Sequence, residues 1–191
     1  CMMDHFVYRD SALHAEDVSI AQIAAAVGTP FYLYSSATLL RHFKLLDDAL
    51  EGMNHLIFYA MKAASNQAIL KLLGDAGAGM DVVSGGEYAR ARAAGIASER
   101  IVFSGVGKTR AEMEIVIKGG VRQFNVESEP EMRLLSQVAS EMGKIVPITI
   151  RINPDVDAKT HVKISTGKKE DKFGIPISRA REVYAVAASL P

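Results

Sequence analysis

Short β-type apolar runs recur along this chain at a nearly constant spacing, with amphipathic helical runs between them. The apolar runs are His55–Ala60, Met80–Val83, Ile101–Phe103, Arg122–Val126 and Ile145–Ile152. Their centres lie about 20–25 residues apart, the length of one strand, one helix and two short loops. Such alternation builds parallel strands with helical crossovers, because a parallel neighbour is out of reach of a tight hairpin. The segments in between carry helix signals of their own. Ile69, Leu72, Leu73 and Ala76 follow the i, i+3, i+4, i+7 pattern, with Ser65 or Asn66 placed to cap. Thr109 with Glu112, and Ser128 with Glu131, have capping-box spacing, and Gly119–Gly120 and Gly143 stand where those helices stop. Five such βα units admit a doubly wound open sheet or part of a barrel, which closes only with eight strands and about 250 residues.

The first 50 residues lie outside this rhythm. Phe6–Tyr8 reads as a lone strand, and Val18–Val27 as a helix opened by Ser19 and closed by Gly28. Phe31–Tyr34 is a β-type run after Pro30, and Leu39, Phe43, Leu46 and Leu50 make one helical face. The reading divides the chain into an N-terminal segment, 1–28, and a βα region, 29–191. Cys1 and the two methionines after it receive no role.

Composition narrows the classes of function. With 22 basic and 22 acidic side chains the net charge is zero, which argues against nucleic acid or an anionic membrane as partner. Half the residues, 49%, are apolar and 23% are charged, the balance of a folded globular chain. A single cysteine excludes an intramolecular disulfide, and with no membrane-length apolar run the expectation is a cytoplasmic protein.

Four places could carry chemistry. Lys62, in Phe58-Tyr59-Ala60-Met61-Lys62-Ala63, stands just past the C-terminal end of the first regular strand, where βα sheets place their active sites. Apolar flanks can partly desolvate a lysine there, which disfavours its ammonium form, and a neutral amine can form a Schiff base with a carbonyl. Position alone favours an ordinary solvated loop lysine. Gly105-Val106-Gly107-Lys108-Thr109 invites a phosphate-loop reading, but that motif needs glycine where Val102 stands, so a turn into a capped helix is expected. In Asp81-Val82-Val83-Ser84-Gly85-Gly86-Glu87, paired glycines opening a helix could admit a phosphate, against the plainer reading of a βα turn. From Asn153 to Gly174 no period is legible. The stretch carries Asp155, Asp157, His161 and Thr166-Gly167, with dense charge around Lys169–Lys172, and reads as a lid or binding loop. The other histidines, at 5, 14, 42 and 55, lack metal-ligand spacing.

In order along the chain, these pieces resemble the diaminopimelate decarboxylases of the barrel-type, alanine racemase-like pyridoxal-phosphate enzymes. The resemblance runs through Thr29-Pro30-Phe31-Tyr32-Leu33-Tyr34-Ser35, Tyr59-Ala60-Met61-Lys62-Ala63 and Gly79 to Glu87. It continues through Phe103 to Thr109, Phe124 to Glu129, Arg151-Ile152-Asn153-Pro154-Asp155-Val156-Asp157, Thr160 to Gly167 and Lys172 to Ile175. The lysine and second-strand motifs are shared with ornithine and arginine decarboxylases. The Asn-Pro-Asp-Val-Asp and Thr-His-x-x-Ile-Ser-Thr-Gly pieces match the diaminopimelate branch.

The resemblance implies a (β/α)8 TIM-type barrel, of which this chain carries about five βα units, with Phe6–Tyr8 belonging to a β-domain otherwise absent. It implies pyridoxal 5'-phosphate as cofactor, no metal, and decarboxylation of meso-2,6-diaminopimelate to L-lysine in a homodimer. Lys62 would be the Schiff-base lysine, Asp81 and Arg151 cofactor-site residues, and Asp157, His161 and Thr166 part of a loop closing over the substrate. Ala64 departs from the pattern, which has Asn there. The ring-stacking histidine segment, the glycine-rich phosphate site, the acid that pairs with the pyridine nitrogen and the partner-donated cysteine have no counterpart here. The expectation is therefore an N-terminal portion, inactive by itself. Competing readings are an ornithine- or arginine-type decarboxylase, a non-catalytic pyridoxal-phosphate-binding relative, and an unrelated Schiff-base aldolase.

Overall fold

The computed structural model describes residues 4–154 and 174–191. An antiparallel meander, β1 (Phe6–Arg9), β2 (Ala12–Ala15) and β3 (Val18–Ser19), leads into helices α1 (Ile20–Val27) and α2 (Ser36–Ala49). Phe6–Tyr8 is thus not a lone strand. Asp10 and Ser11 turn the chain with positive φ, so that Phe6 pairs with Ala15. Glu16 pins the meander to α2. Its Oε1 accepts from the hydroxyls of Ser35 (2.8 Å) and Ser36 (3.1 Å) and from the Ala37 amide (3.0 Å). The carboxylate satisfies the orphan donors of the helix N-terminus, and those bonds, Ala37's first, hold its pKa below the ordinary value.

Phe31–Tyr34 is extended but not a strand, since no ladder partner lies beside it among the described residues; Tyr32 and Tyr34 are exposed. On α2 only Leu39 and Phe43 of the expected face pack against the core, while Leu46 stays half exposed.

The rest is the anticipated βα alternation. Strands β4 (Phe58–Ala60), β5 (Gly79–Val82), β6 (Ile101–Phe103), β7 (Gln123–Val126) and β8 (Ile148–Ile150) lie side by side, all parallel and in chain order. Crossovers are made by α3 (Gln67–Asp75), α4 (Gly85–Ala93), α5 (Arg110–Gly119) and α6 (Glu129–Glu141). The fifth apolar run breaks at Arg151. Beyond it β9 (Ile152–Asn153) pairs with β10 (Ile175–Pro176), followed by α7 (Ala180–Ser189). Ile145, expected inside the strand, is fully exposed in the loop before β8.

One face of each strand is apolar and meets the helices. Met80, Val82, Ile101, Phe103, Phe124, Val126 and Ile150 pack on Leu70, Met113, Val116, Met132 and Leu135 in a single buried cluster. Burial of a side chain the size of Phe103 contributes about 2–3 kcal/mol, so this layer supplies most of the cohesion. The α3 face that reaches it is Ile69, Leu70, Leu73 and Gly74. Ala76 caps the helix in an exposed position, because α3 ends at Asp75. Gly74 leaves room for Ile96: a Cβ there would stand 2.2 Å from its Cδ1.

The turns are pinned by side chains. Thr109 and Glu112 form the complete reciprocal box. Ser128 forms half of one: its hydroxyl accepts from the Glu131 amide, but the Glu131 carboxylate reaches back to the Glu127 amide (3.3 Å). Its other oxygen takes Lys108. The Lys108 ammonium is almost wholly buried and donates to the Gly105 carbonyl (2.6 Å), the Asn125 carbonyl (2.8 Å) and Glu131 Oε1 (2.6 Å), with the Phe103 ring 5.6 Å away. All three protons are used within the protein. The Gly-Lys-Thr trio is therefore a clamp tying the β6–α5 turn to β7 and α6, as its failed phosphate-loop spacing anticipates.

Breaking that clamp from one side leaves a buried charge without a partner. Lys108→Ala is expected to lower unfolding stability by about 3–5 kcal/mol, and Lys108→Met with Glu131→Leu by much less, measured as urea midpoints.

Candidate functional site

The other face of the sheet is polar, and it follows from the same alternation. On β7 and just past it, Gln123, Asn125 and Glu127 interleave with the buried Phe124 and Val126; beyond β8, Arg151 follows Thr149 across Ile150. Together with Lys62, Asp81, Val83 and Ser104 these residues line a cavity of about 460 Å³. Its lining comes from β4 through β8 and the turns at their C-terminal ends, the end where βα sheets bind ligands.

Lys62 occupies a single 3-10 turn, Met61–Ala63, directly after β4. The turn is held on both sides. Met61 is fully buried, the Tyr59 hydroxyl donates to the Ala64 carbonyl (3.1 Å), and Arg90 donates through Nε and Nη2 to the Ser65 carbonyl (2.9 and 2.7 Å). Burial pushes the Tyr59 phenol above its usual pKa. Where Asn was expected after Lys-Ala, the chain uses the Ala64 backbone carbonyl to close the turn. Lys62 itself is exposed, the solvated placement that its position alone favours: only one flank, Met61, is buried, while Ala63 faces solvent. Among the described residues no hydrogen bond or ion pair reaches its ammonium.

Across the cavity the polar side chains are linked in series. Gln123 Nε2 donates to Thr149 Oγ1 (3.0 Å) and to Asn125 Oδ1 (2.8 Å), Asn125 Nδ2 donates to Ser104 Oγ (2.7 Å), and the Ser104 hydroxyl donates to Asp81 Oδ1. Four strands and turns thereby contribute to one row that ends on a carboxylate. At the rim, Arg151 Nη1 donates to both oxygens of the buried Glu127 (3.1 Å each). Gly174 passes against this arginine with φ +82°, and a Cβ there would stand 3.1 Å from the Arg151 carbonyl oxygen.

Of the residues expected to carry chemistry, Lys62, Asp81 and Arg151 line this one cavity. Asp157, His161 and Thr166 lie outside the described residues. Ser104, Asn125 and Glu127 lie in stretches that carry the resemblance but receive no role there, and Gln123 and Thr149 lie outside them; the available signal is a polar residue at every second position beside buried apolar ones.

Gly85-Gly86 is not an anion site. The Ser84 hydroxyl accepts from the Glu87 amide (3.1 Å), Glu87 Oε2 from the Val83 amide (2.9 Å), and Glu112 Oε1 from the Gly85 amide (2.8 Å). A carboxylate from α5 already occupies the helix N-terminus. The Gly85 bond, then that from the Thr109 amide, hold the Glu112 carboxyl below its ordinary pKa of 4.5.

A parallel α/β sheet presenting at a strand end an amine unpartnered among the described residues, with a carboxylate lining the same polar cavity, has the form of a Schiff-base site. The chain belongs to the pyridoxal-dependent decarboxylase, pyridoxal-binding domain family, whose model matches residues 36–191. Diaminopimelate decarboxylases from Vibrio cholerae and Haemophilus influenzae are 52% identical over 190 residues and 48% identical over 189. Each alignment covers 99% of this chain and 46% of the relative, so the chain spans about half the length of the curated relatives it matches. A crystal structure of the M. jannaschii diaminopimelate decarboxylase in complex with L-lysine superposes with a TM-score of 0.87 at 33% identity, over 98% of this chain and 45% of that one.

The capping by Glu112 has a pH signature. A carboxyl whose pKa is lowered on folding stabilises above its unfolded value of 4.5, and that contribution is lost as pH falls through the lowered value. Glu112→Gln should lose stability at about pH 7, and its deficit against the parent should shrink steadily as pH falls below 4.5, read from denaturant midpoints.

Proposed function

We propose that this chain carries the lysine-bearing part of a diaminopimelate decarboxylase. The activity is pyridoxal-phosphate-dependent conversion of meso-2,6-diaminopimelate to L-lysine and carbon dioxide. The observation that supports this most is Lys62: a primary amine on a braced turn at a strand end, unpartnered among the described residues, facing a cavity whose opposite wall is an ordered polar row. The M. jannaschii relative's complex with L-lysine agrees with a substrate of this class. The identities near 50% favour the diaminopimelate branch over an ornithine- or arginine-type enzyme.

The residues present fit pyridoxal phosphate. Its aldehyde calls for an amine free of partners, as Lys62 is among the described residues, and Asp81 and Arg151 line the same cavity. When bound, the cofactor supplies an electron sink for the pair left behind as carbon dioxide departs. Lys62 would hold the group through its amine. Asp81 places negative charge at the cavity wall, and Arg151, steadied by Glu127, places positive charge at the rim; fixed charges of this sort need no reorganisation during reaction.

The sequential order β4 to β8, extended by β10 beside β9, suits one arc of a (β/α)8 barrel. We further infer that the enzyme works as a cytoplasmic homodimer, with no nucleic-acid or membrane partner. Among the described residues no helix is long and apolar enough to cross a membrane.

The test is turnover. Protein expressed from its complete reading frame should release L-lysine from meso-2,6-diaminopimelate only with pyridoxal phosphate, and Lys62→Ala should lose at least about a thousandfold in kcat. Preferred turnover of ornithine or arginine would overturn the substrate assignment. Turnover undiminished in Lys62→Ala would overturn the role of the lysine.

A further inference from the structure

We propose that Ser104, Asn125 and Gln123 are positioning residues for Asp81, a role that rests on the pyridoxal-phosphate reading above. Every donor in their row points the same way. Gln123 gives an N–H to Asn125, Asn125 gives one to Ser104, and Ser104 gives its only proton to Asp81 Oδ1. This polarity is set by what each group can do. A carboxylate only accepts, so the serine hydroxyl must donate to it and must itself accept from the next residue. Asn125 can supply that donor only if its carbonyl oxygen is turned away, and Gln123 Nε2 is what meets that oxygen. Thr149 Oγ1 takes a second bond from the same Gln123 nitrogen and anchors the far end to β8.

The backbone under the row is equally fixed. The Asn125 carbonyl is held by the buried Lys108 ammonium (2.8 Å), and the Ser104 amide donates to the Val82 carbonyl (2.8 Å), one residue beyond Asp81. Among the described residues no hydrogen bond reaches the second oxygen of Asp81. The row therefore fixes the rotamer of Asp81 through Oδ1 and leaves Oδ2 to the cavity that Lys62 faces. A chain of hydrogen bonds strengthens each of its members, so loss of an internal link is felt at the carboxylate.

The experiment uses holoenzyme from the complete reading frame. Ser104→Ala and Asn125→Asp remove the final donor and the middle donor; Ser104→Thr keeps the hydroxyl. Readouts are kcat and KM separately, the visible circular dichroism of bound pyridoxal phosphate, and far-UV dichroism for folding. Expected are a loss of about tenfold in kcat, the equivalent of one hydrogen bond to a charged group, little change in KM, and an altered cofactor dichroic band. Ser104→Thr should recover most of both. If Ser104→Ala does not fold, Gln123→Met at the far end of the row should show the same dichroic change with a smaller kcat loss. Wild-type kcat and dichroic band in folded Ser104→Ala and Asn125→Asp would overturn the positioning role alone. Absence of bound cofactor in the wild type would overturn the underlying reading and this role with it.

Discussion

In a parallel strand, successive side chains leave on opposite faces, and every strand from β4 to β8 commits one of those faces to the helices. Phe103, Phe124, Val126 and Met80 are buried there completely. The partners they alternate with have no choice but to stand together on the other side. Ser104, Asn125, Glu127 and Asp81 are thus neighbours because their apolar neighbours are packed. A one-residue slip would put Asp81 of β5 or Asn125 of β7 into the apolar layer, so the register that makes the core also makes the site.

The βα turns translate that register into fixed geometry. Two of them use the same device: a serine caps the helix while a glutamate three residues on reaches back to the amide before it, as in Ser84 with Glu87 and Ser128 with Glu131. Glu112 then links α5 to the start of α4, and Lys108 links the β6–α5 turn to β7 and α6. These contacts lie at the C-terminal ends of the strands, where the cavity opens. A buried ion pair contributes modest net stability, but it does demand one arrangement of the groups around it. Here that arrangement includes the Asn125 backbone, so the clamp and the polar row share a residue.

Much of this was legible in the residues. The strand period located β4 to β8, and the caps at Asn66, Thr109 and Ser128 located the helices between. The Lys62 motif pointed to the cavity because strand ends are where such sheets bind. Other features depend on contacts that no local pattern encodes. Phe31–Tyr34 alternates as a strand does, yet an extended segment becomes a strand only when a partner lies beside it. Phe6–Tyr8 found a partner through a turn at Asp10 and Ser11, residues that adopt positive φ without glycine. Solvation of Lys62, which position alone favours, depends on how the turn projects: Met61 is buried and Ala63 is not. The polar row spans Asp81 to Thr149 in sequence, and its members become adjacent only once four strands are paired.

The central claim is that the polar face of the sheet is built around one amine, Lys62. Borohydride reduction of the protein expressed from its complete reading frame, after incubation with pyridoxal phosphate and followed by peptide mass mapping, tests it most directly. The account predicts a single stoichiometric pyridoxyl adduct on Lys62, with the buried Lys108 unlabelled. Labelling spread over surface lysines, or a stoichiometric adduct on a lysine other than Lys62, would contradict it.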